Sequence, residues 1–246
     1  MGRGVLITGN WKMNLLRTSA HKLAADIVSA LDRGWPADVR VAIAPPYTAI
    51  DLVRNAIRGS GVMLAAQDVA GAAEGAHTGE VSAAMLADAG VELVIIGHSE
   101  RRHGLSETDA LVLEKVQRAF EAGLQVTLCV GETREERDAG YAEEVVERQI
   151  RAVVSNMDLS SGTLHVAYEP VWAIGTGLTP TLEDASSMHS CIRDMVRQLA
   201  GQDIAADLII QYGGSVSPDN ASELLFQDGV DGLLVGGFSI KPTSFA

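Results

Sequence analysis

Aromatic residues are scarce in this 246-residue chain: Phe, Trp and Tyr together make up 4 %. A sizeable core must then be built from Val, Ile, Leu and Ala, the composition of buried parallel strands and the helices that cover them. Cysteine is also rare. Cys129 and Cys191 stand far apart, two thiols make no disulfide framework, and a reducing cytoplasm is the expected compartment. Basic residues are outnumbered, 19 Lys and Arg against 32 Asp and Glu, for a net charge of −13. Nucleic acid and anionic membranes are therefore not expected partners, and an anionic substrate must be drawn in by a local site. No apolar run approaches the ~18 residues of a membrane span, and no basic-then-apolar leader opens the chain. No Gly-x-Gly-x-x-Gly follows the first apolar run, which disfavours an open dinucleotide-binding sheet. Linkers and low-complexity stretches are missing too, so residues 1–246 read as one domain.

What is present is a rhythm. Short apolar runs recur at Val5–Thr8, Val39–Ala44, Val62–Ala65, Leu93–Ile96, Gln125–Val130, Leu164–Tyr168, Leu208–Gln211 and Gly232–Val235. Each has the length of a buried strand. Amphipathic stretches lie between most of them. Leu23, Ile27 and Leu31 share one helix face, as do Val145, Val146, Ile150, Val153 and Val154 on the stretch from Glu143. Thr181 to Asp184 resembles a capping box. Alternating strands and helices pair in parallel through right-handed crossovers, and eight such units close into an α/β (β/α)8 barrel.

Chemistry in such a barrel gathers at the carboxyl ends of the strands. There the sequence places Asn10, Trp11 and Lys12 after the first run, His98, Ser99 and Glu100 after the fourth, Cys129 and Glu132 at the fifth, and Glu169 after the sixth. Tyr212, Gly213, Gly214 and Ser215 follow the seventh, and Leu234, Gly236 and Gly237 fall at the eighth. Glu169 ends an apolar run and precedes Pro170, Trp172, Ile174, Gly175 and Gly177. Alone it reads equally well as a structural glutamate or as a base beside a closable loop. Either glycine pair alone is explained by a tight turn. Together, in the last two loops, they favour a backbone cradle for phosphate, with helix N-termini adding positive charge. Ser99 and Glu100 are expected to cap a short helix, whose N-terminus disfavours an imidazolium at His98. No metal-ligand cluster is evident. A base, a neutral donor, a cation and a phosphate cradle suit proton abstraction α to a carbonyl on a small phosphorylated substrate.

These motifs closely resemble the triosephosphate isomerase family. Asn10-Trp11-Lys12-Met13-Asn14, Ile96 to Arg102, Cys129 to Glu132, Ala167 to Gly177, Tyr212 to Ser215 and Val235-Gly236-Gly237 carry the resemblance, from residue 5 to about 243. The family is itself the standard illustration of a glutamate base paired with a neutral histidine under a closing loop. The resemblance implies cofactor-independent interconversion of dihydroxyacetone phosphate and D-glyceraldehyde 3-phosphate, a step of glycolysis and gluconeogenesis. It implies Glu169 as base, His98 as electrophile and Lys12 as the transition-state cation. Asn10, Ser99, Glu100, Cys129, Ile174, Tyr212 and Leu234 support them. Phosphate is expected on the backbone at Gly175, Gly236 and Gly237, near Ser215. A homodimer is implied through residues 67–80, with Thr78 approaching Asn10 of the second copy.

The chain departs from the family pattern in places. Pro180 stands where the family offers a backbone N–H to the tyrosine matching Tyr212; proline has none. Phe238 replaces a small residue beside the glycine pair and is expected to pack against the last helix. His77 reads as a surface-loop histidine, and the last helix is expected to be short. Two other functions are weighed: the same chemistry on a four-carbon ketose phosphate, whose extra carbon meets Ile174 and Leu234, and a catalytically silent barrel.

Overall fold

The computed structural model describes residues 3–31, 34, 36–174 and 180–245. Eight parallel strands close on themselves in sequence order: β1 (Val5–Asn10), β2 (Val39–Ala44), β3 (Met63–Ala66), β4 (Leu93–Ile96), β5 (Gln125–Val130), β6 (Leu164–Tyr168), β7 (Ile209–Tyr212) and β8 (Gly232–Val235). The ring closes where Leu6 to Gly9 of β1 pair with Gly232 to Val235 of β8. The expected strands are all found, displaced by at most two residues at their ends. β1 runs on to Asn10, because its register with β2 continues to Asn10 opposite Ala44.

Helices α1 (Arg17–Leu31), α2 (Ile50–Ile57), α3 (Ala83–Asp88), α4 (Ser99–Gly104), α5 (Asp109–Glu121), α6 (Arg134–Asp138), α7 (Ala142–Val154), α8 (Leu182–Ala200), α9 (Gln202–Asp207), α10 (Ala221–Leu225) and α11 (Pro242–Phe245) surround the strands. The apolar stripe expected on α1 is the buried one: Leu23, Ala24 and Ile27 face inward. Thr181 caps α8 by accepting from the Asp184 N–H, while the Asp184 side chain reaches back to the Thr181 N–H. α11 is a single turn, short as expected.

Alternation along the strands makes two cores. Side chains turned outward, such as Val41, Ile43, Val94, Ile96, Val126 and Leu128, pack under the helices. Those turned inward fill the barrel, with bulky Leu6, Leu93, Ile95 and Ile209 set among Ala42, Ala44, Ala65 and Ala167. Burying each large aliphatic side chain stabilises by roughly 1.5–3 kcal/mol. Polar side chains share that interior, Gln211 among them with Thr8 and Thr127. Gln211 is fully buried, donating to Thr8 Oγ1 at 2.9 Å and to the Leu6 and Leu233 carbonyls at 3.1 Å. With its partners in place the amide escapes the penalty of unpaired burial. Among the described residues no helix is long and apolar enough to cross a membrane.

Candidate active site

The carboxyl ends of the strands enclose a cavity of about 240 Å3. Of the residues singled out from the sequence, Asn10, Lys12, His98, Glu169, Ile174, Ser215, Leu234, Gly236 and Gly237 line it. Ser99, Glu100, Cys129 and Tyr212 do not line it. Gly175 lies outside the described residues. Thr78 sits away from the cavity on an exposed loop.

Lys12 is held by its backbone. Its N–H donates to Asn10 Oδ1 at 3.0 Å, and its carbonyl accepts from the Gln67 amide at 2.8 Å. Gln67 also holds the Ala44 carbonyl at 2.9 Å, tying the ends of β1 and β2 to the residue after β3. Lys12 has φ 53°, a left-handed conformation that non-glycine residues adopt at a cost of about 1–3 kcal/mol. These hydrogen bonds hold it there. The ammonium lies 2.6 Å from Glu100 Oε1. A Cβ added to Gly236 would meet Lys12 Cε at 3.4 Å, so the cation stands beside the glycine pair.

His98 corrects the expected cap. The residue that caps α4 is not Ser99 or Glu100 but His98 itself, whose Nδ1 accepts the Glu100 N–H at 3.2 Å. Its Nε2 lies 2.9 Å from Glu169 Oε1. The other carboxylate oxygen accepts the Ser99 N–H at 2.9 Å. Both side chains are buried. Burial alone lowers the His98 pKa, but the Glu169 carboxylate raises it by more, and the net direction is upward. Burial alone raises the Glu169 pKa; His98, the Ser99 N–H and Lys12 outweigh it, and the net direction is downward. Whatever the charge on His98, the two N–H donors at its oxygens and the nearby Lys12 keep Glu169 an ionised carboxylate. For His98 the hydrogen bond at Nδ1 decides. An imidazolium would set the Nδ1 proton against the Glu100 N–H, so the ring is neutral with its proton on Nε2. The upward pull lasts only while Glu169 stays beside it.

Two glycines make room for Glu169. A Cβ on Gly131 would lie 1.8 Å from the Glu169 carbonyl oxygen, and one on Gly213 would lie 2.9 Å from Glu169 Cγ. Only glycine permits these approaches. The buried Cys129 thiol lies behind, its pKa pushed well up by burial and by Glu169. It is a neutral packing partner and no thiolate.

The segment after Glu169 is stapled to the end of β5. Glu132 is fully buried, accepting from Trp172 Nε1 at 2.9 Å and from the Tyr168 hydroxyl at 3.2 Å. The Val171 N–H donates to the Glu132 carbonyl at 3.0 Å, and Arg137 lies 4.8 Å from the Trp172 ring centroid. Ser215 Oγ donates to the Ala173 carbonyl at 2.7 Å. Tyr212 contrasts with these: its hydroxyl is buried and has no hydrogen-bond partner among the described residues.

The glycine-pair end differs from expectation in two ways. A 3-10 turn, Gly237–Ile240, follows β8, and α10 begins only at Ala221. Any anion site here therefore rests on backbone N–H groups more than on helix dipoles, which need longer helices to build up. Phe238 does face Ser244 and Phe245 across a neighbouring cavity, but it also lines the site itself.

The arrangement is that of a known family. The triosephosphate isomerase family model matches residues 5–246. This chain belongs to the triosephosphate isomerase family. It is 50 % identical over 246 residues to triosephosphate isomerase of Treponema pallidum (strain Nichols), covering 99 % of this chain and 97 % of the relative. It is 48 % identical to that of Treponema denticola, with 97 % and 95 % covered. It is 46 % identical to that of Rhodopirellula baltica, with 100 % and 96 % covered.

As a triosephosphate isomerase family member the chain has supports that sequence reading missed. α4 is moored by a buried ion network: Arg101 bonds Asp68 at 2.8 Å and Glu107 at 2.7 Å, and Lys115 bridges the same two carboxylates. Arg102 holds the Gly97 carbonyl at 2.9 Å and Asp109 at 2.7 Å. Gln149, on the apolar face of α7, accepts the Gly131 N–H at 2.8 Å. No local pattern marks these residues, and Asp68 meets Lys115 from 47 residues away.

Proposed function

We propose that this protein interconverts dihydroxyacetone phosphate and D-glyceraldehyde 3-phosphate through an enediolate, without a cofactor. The observation that carries the reading is the pairing of an ionised Glu169 with a neutral Nε2–H of His98, 2.9 Å apart, in a cavity that also holds Lys12 and the Gly236–Gly237 backbone. Both oxygens of Glu169 are now occupied by N–H donors. On substrate binding one must be released to reach the carbon next to the carbonyl. Glu169 then removes a proton from that carbon. The Nε2–H of His98 donates to the carbonyl oxygen, and Lys12 balances the negative charge that develops there. Glu169 returns the proton to the neighbouring carbon, and the hydroxyl proton passes to the former carbonyl oxygen by way of His98 Nε2, which gives a proton to one oxygen and recovers one from the other, so aldehyde and ketone exchange places with no net change in protons or electrons. A hydrogen-bond donor aimed at such an oxygen is worth roughly 10²–10³ in rate.

The phosphate is held by the backbone of Gly236 and Gly237, with Gly175 and Ser215 contributing, and Lys12 nearby. Ser99, Glu100 and Cys129 orient the groups that react. Ile174 and Leu234 bound the carbon chain. The protein works in the cytoplasm as a homodimer. Supporting the dimer, Met13, Leu16 and Met85 are 95 %, 83 % and 60 % exposed, and residues 73–80 project as an exposed loop closed at its neck by the Ala70 N–H to Val81 carbonyl bond. Apolar surface of that kind marks an interface. Thr78 on this loop approaches Asn10 of the second copy.

A coupled isomerase assay on three- and four-carbon substrates tests the reading, with Glu169→Gln as control. The variant should lose roughly 10²–10⁴ in kcat. Activity within tenfold of the parent would remove Glu169 as the base.

A further inference from the structure

We propose that Phe238 is a specificity-determining residue, an aromatic wall that closes the phosphate end of the site, and that Lys241 positions its ring. The proposal rests on the reading that Gly236 and Gly237 receive the phosphate. Phe238 follows the two glycines directly, and its side chain lines the site. It is 36 % exposed, so core packing does not account for it.

The ring is a partition. On its other side lies a second cavity of about 180 Å3, bordered by Ile7, Leu225, Leu233 and Phe245. Val216 shares the partition, since it too lines both spaces. This space, mostly apolar but bordered also by Ser217 and Ser244, is large enough for a ring the size of benzene. Phe238 keeps the two spaces apart. A substrate ending in a bare phosphate fits against the ring; one carrying a substituent on its phosphorus meets it.

Lys241 holds the ring in place. Its ammonium lies 5.0 Å from the ring centroid, a cation–π contact. Among the described residues Lys241 forms no salt bridge, and its ammonium lies against the aromatic face. The pair is local, three residues apart on one 3-10 turn and the residue after it.

The test compares competitive inhibition by methylphosphonate and phenylphosphonate. Both present the same anion to the glycine pair, but the second carries an apolar ring. In the parent protein phenylphosphonate should bind no better than methylphosphonate. In Phe238→Ala the two cavities join, and the inhibition-constant ratio should move toward phenylphosphonate by about tenfold, the scale of burying a ring in apolar space. Phe238→Leu should shift it less. Lys241→Met should shift it in the same direction by about two- to fivefold, as a loosened ring allows. Circular dichroism and melting of each variant report whether it is folded. A ratio that moves less than twofold in a folded Phe238→Ala overturns the wall, and an unmoved ratio in Lys241→Met overturns the positioning role. If the parent neither isomerises triose phosphate nor binds methylphosphonate, the functional reading has failed instead.

Discussion

The Glu100 N–H points at Nδ1 of His98 from 3.2 Å and settles where that ring carries its proton. Position in the chain makes this possible: His98 is the cap of α4, and Glu100 is the second residue of that helix. The same geometry leaves Nε2 as the donor facing Glu169. One hydrogen bond thus caps α4 and orients the His98 ring toward Glu169.

His98 should therefore stay neutral where an ordinary histidine, with a pKa near ~6.5, is partly charged. Ring 15N chemical shifts should show an Nε2–H tautomer from pH 6 to 8, with substrate analogue bound. An imidazolium signal in that range would show that the pull of Glu169 wins over the backbone donor.

Gly131→Ala should be damaging beyond its size. The new methyl would meet backbone atoms of Glu169, at 1.8 and 2.6 Å, and backbone yields poorly. A loss of about 1–3 kcal/mol of stability is expected from overpacking, together with reduced kcat because Glu169 is displaced. Gly104→Ala, where nothing lies within 4 Å, is the control and should melt no lower than the parent. Equal melting temperatures for the two variants would refute the steric account.

Tyr212→Phe should raise stability or leave it unchanged. The hydroxyl is buried without a partner among the described residues, and an unpaired buried hydroxyl costs roughly 1–3 kcal/mol. Burial also pushes its pKa up, so it is a neutral phenol at physiological pH. Pro180 cannot supply the missing N–H. Denaturant unfolding of the two proteins checks this. A stability loss above about 1 kcal/mol in the variant would reveal a partner for that hydroxyl.

Stability should fall as the solution is acidified from pH 7 to 5. His165 and His189 are buried, and burial lowers their pKa values to about 3 and about 4. Unfolding releases them to an ordinary value near ~6.5. Between those limits the unfolded chain binds more protons, so acid favours it. Each contributes about 2 kcal/mol of lost stability at pH 5, roughly 4 kcal/mol together. Chemical denaturation at a fixed protein concentration measures the slope, which His165→Gln should roughly halve. A flat profile in the parent would contradict the burial of both rings.

The strands were legible because strands buried on both faces are written as short apolar runs, and each of the eight stands where its run does. The candidate site was legible for a related reason: Asn10 ends a strand, Glu169 and the Gly236–Gly237 pair follow one directly, and Lys12 and His98 stand two residues past one. The cap of α4 was misread because Ser99 resembles a capping residue, while a histidine ring accepting a backbone N–H has no signature of its own. Phe238 was expected under α11, and only tertiary packing places one of its sides in the site. The mooring of α4 was invisible because Asp68 and Lys115 are 47 residues apart.

Local pattern alone determined that this chain alternates strand and helix, closes into a barrel and sets a carboxylate, an imidazole and an ammonium at the strand ends. Tertiary structure decided the rest: the tautomer of His98, the room Gly131 and Gly213 leave around Glu169, the empty-handed hydroxyl of Tyr212 and the wall at Phe238. The reason is physical. Period and apolarity are properties of neighbouring residues, whereas protonation, clearance and enclosure depend on atoms brought together from distant parts of the chain.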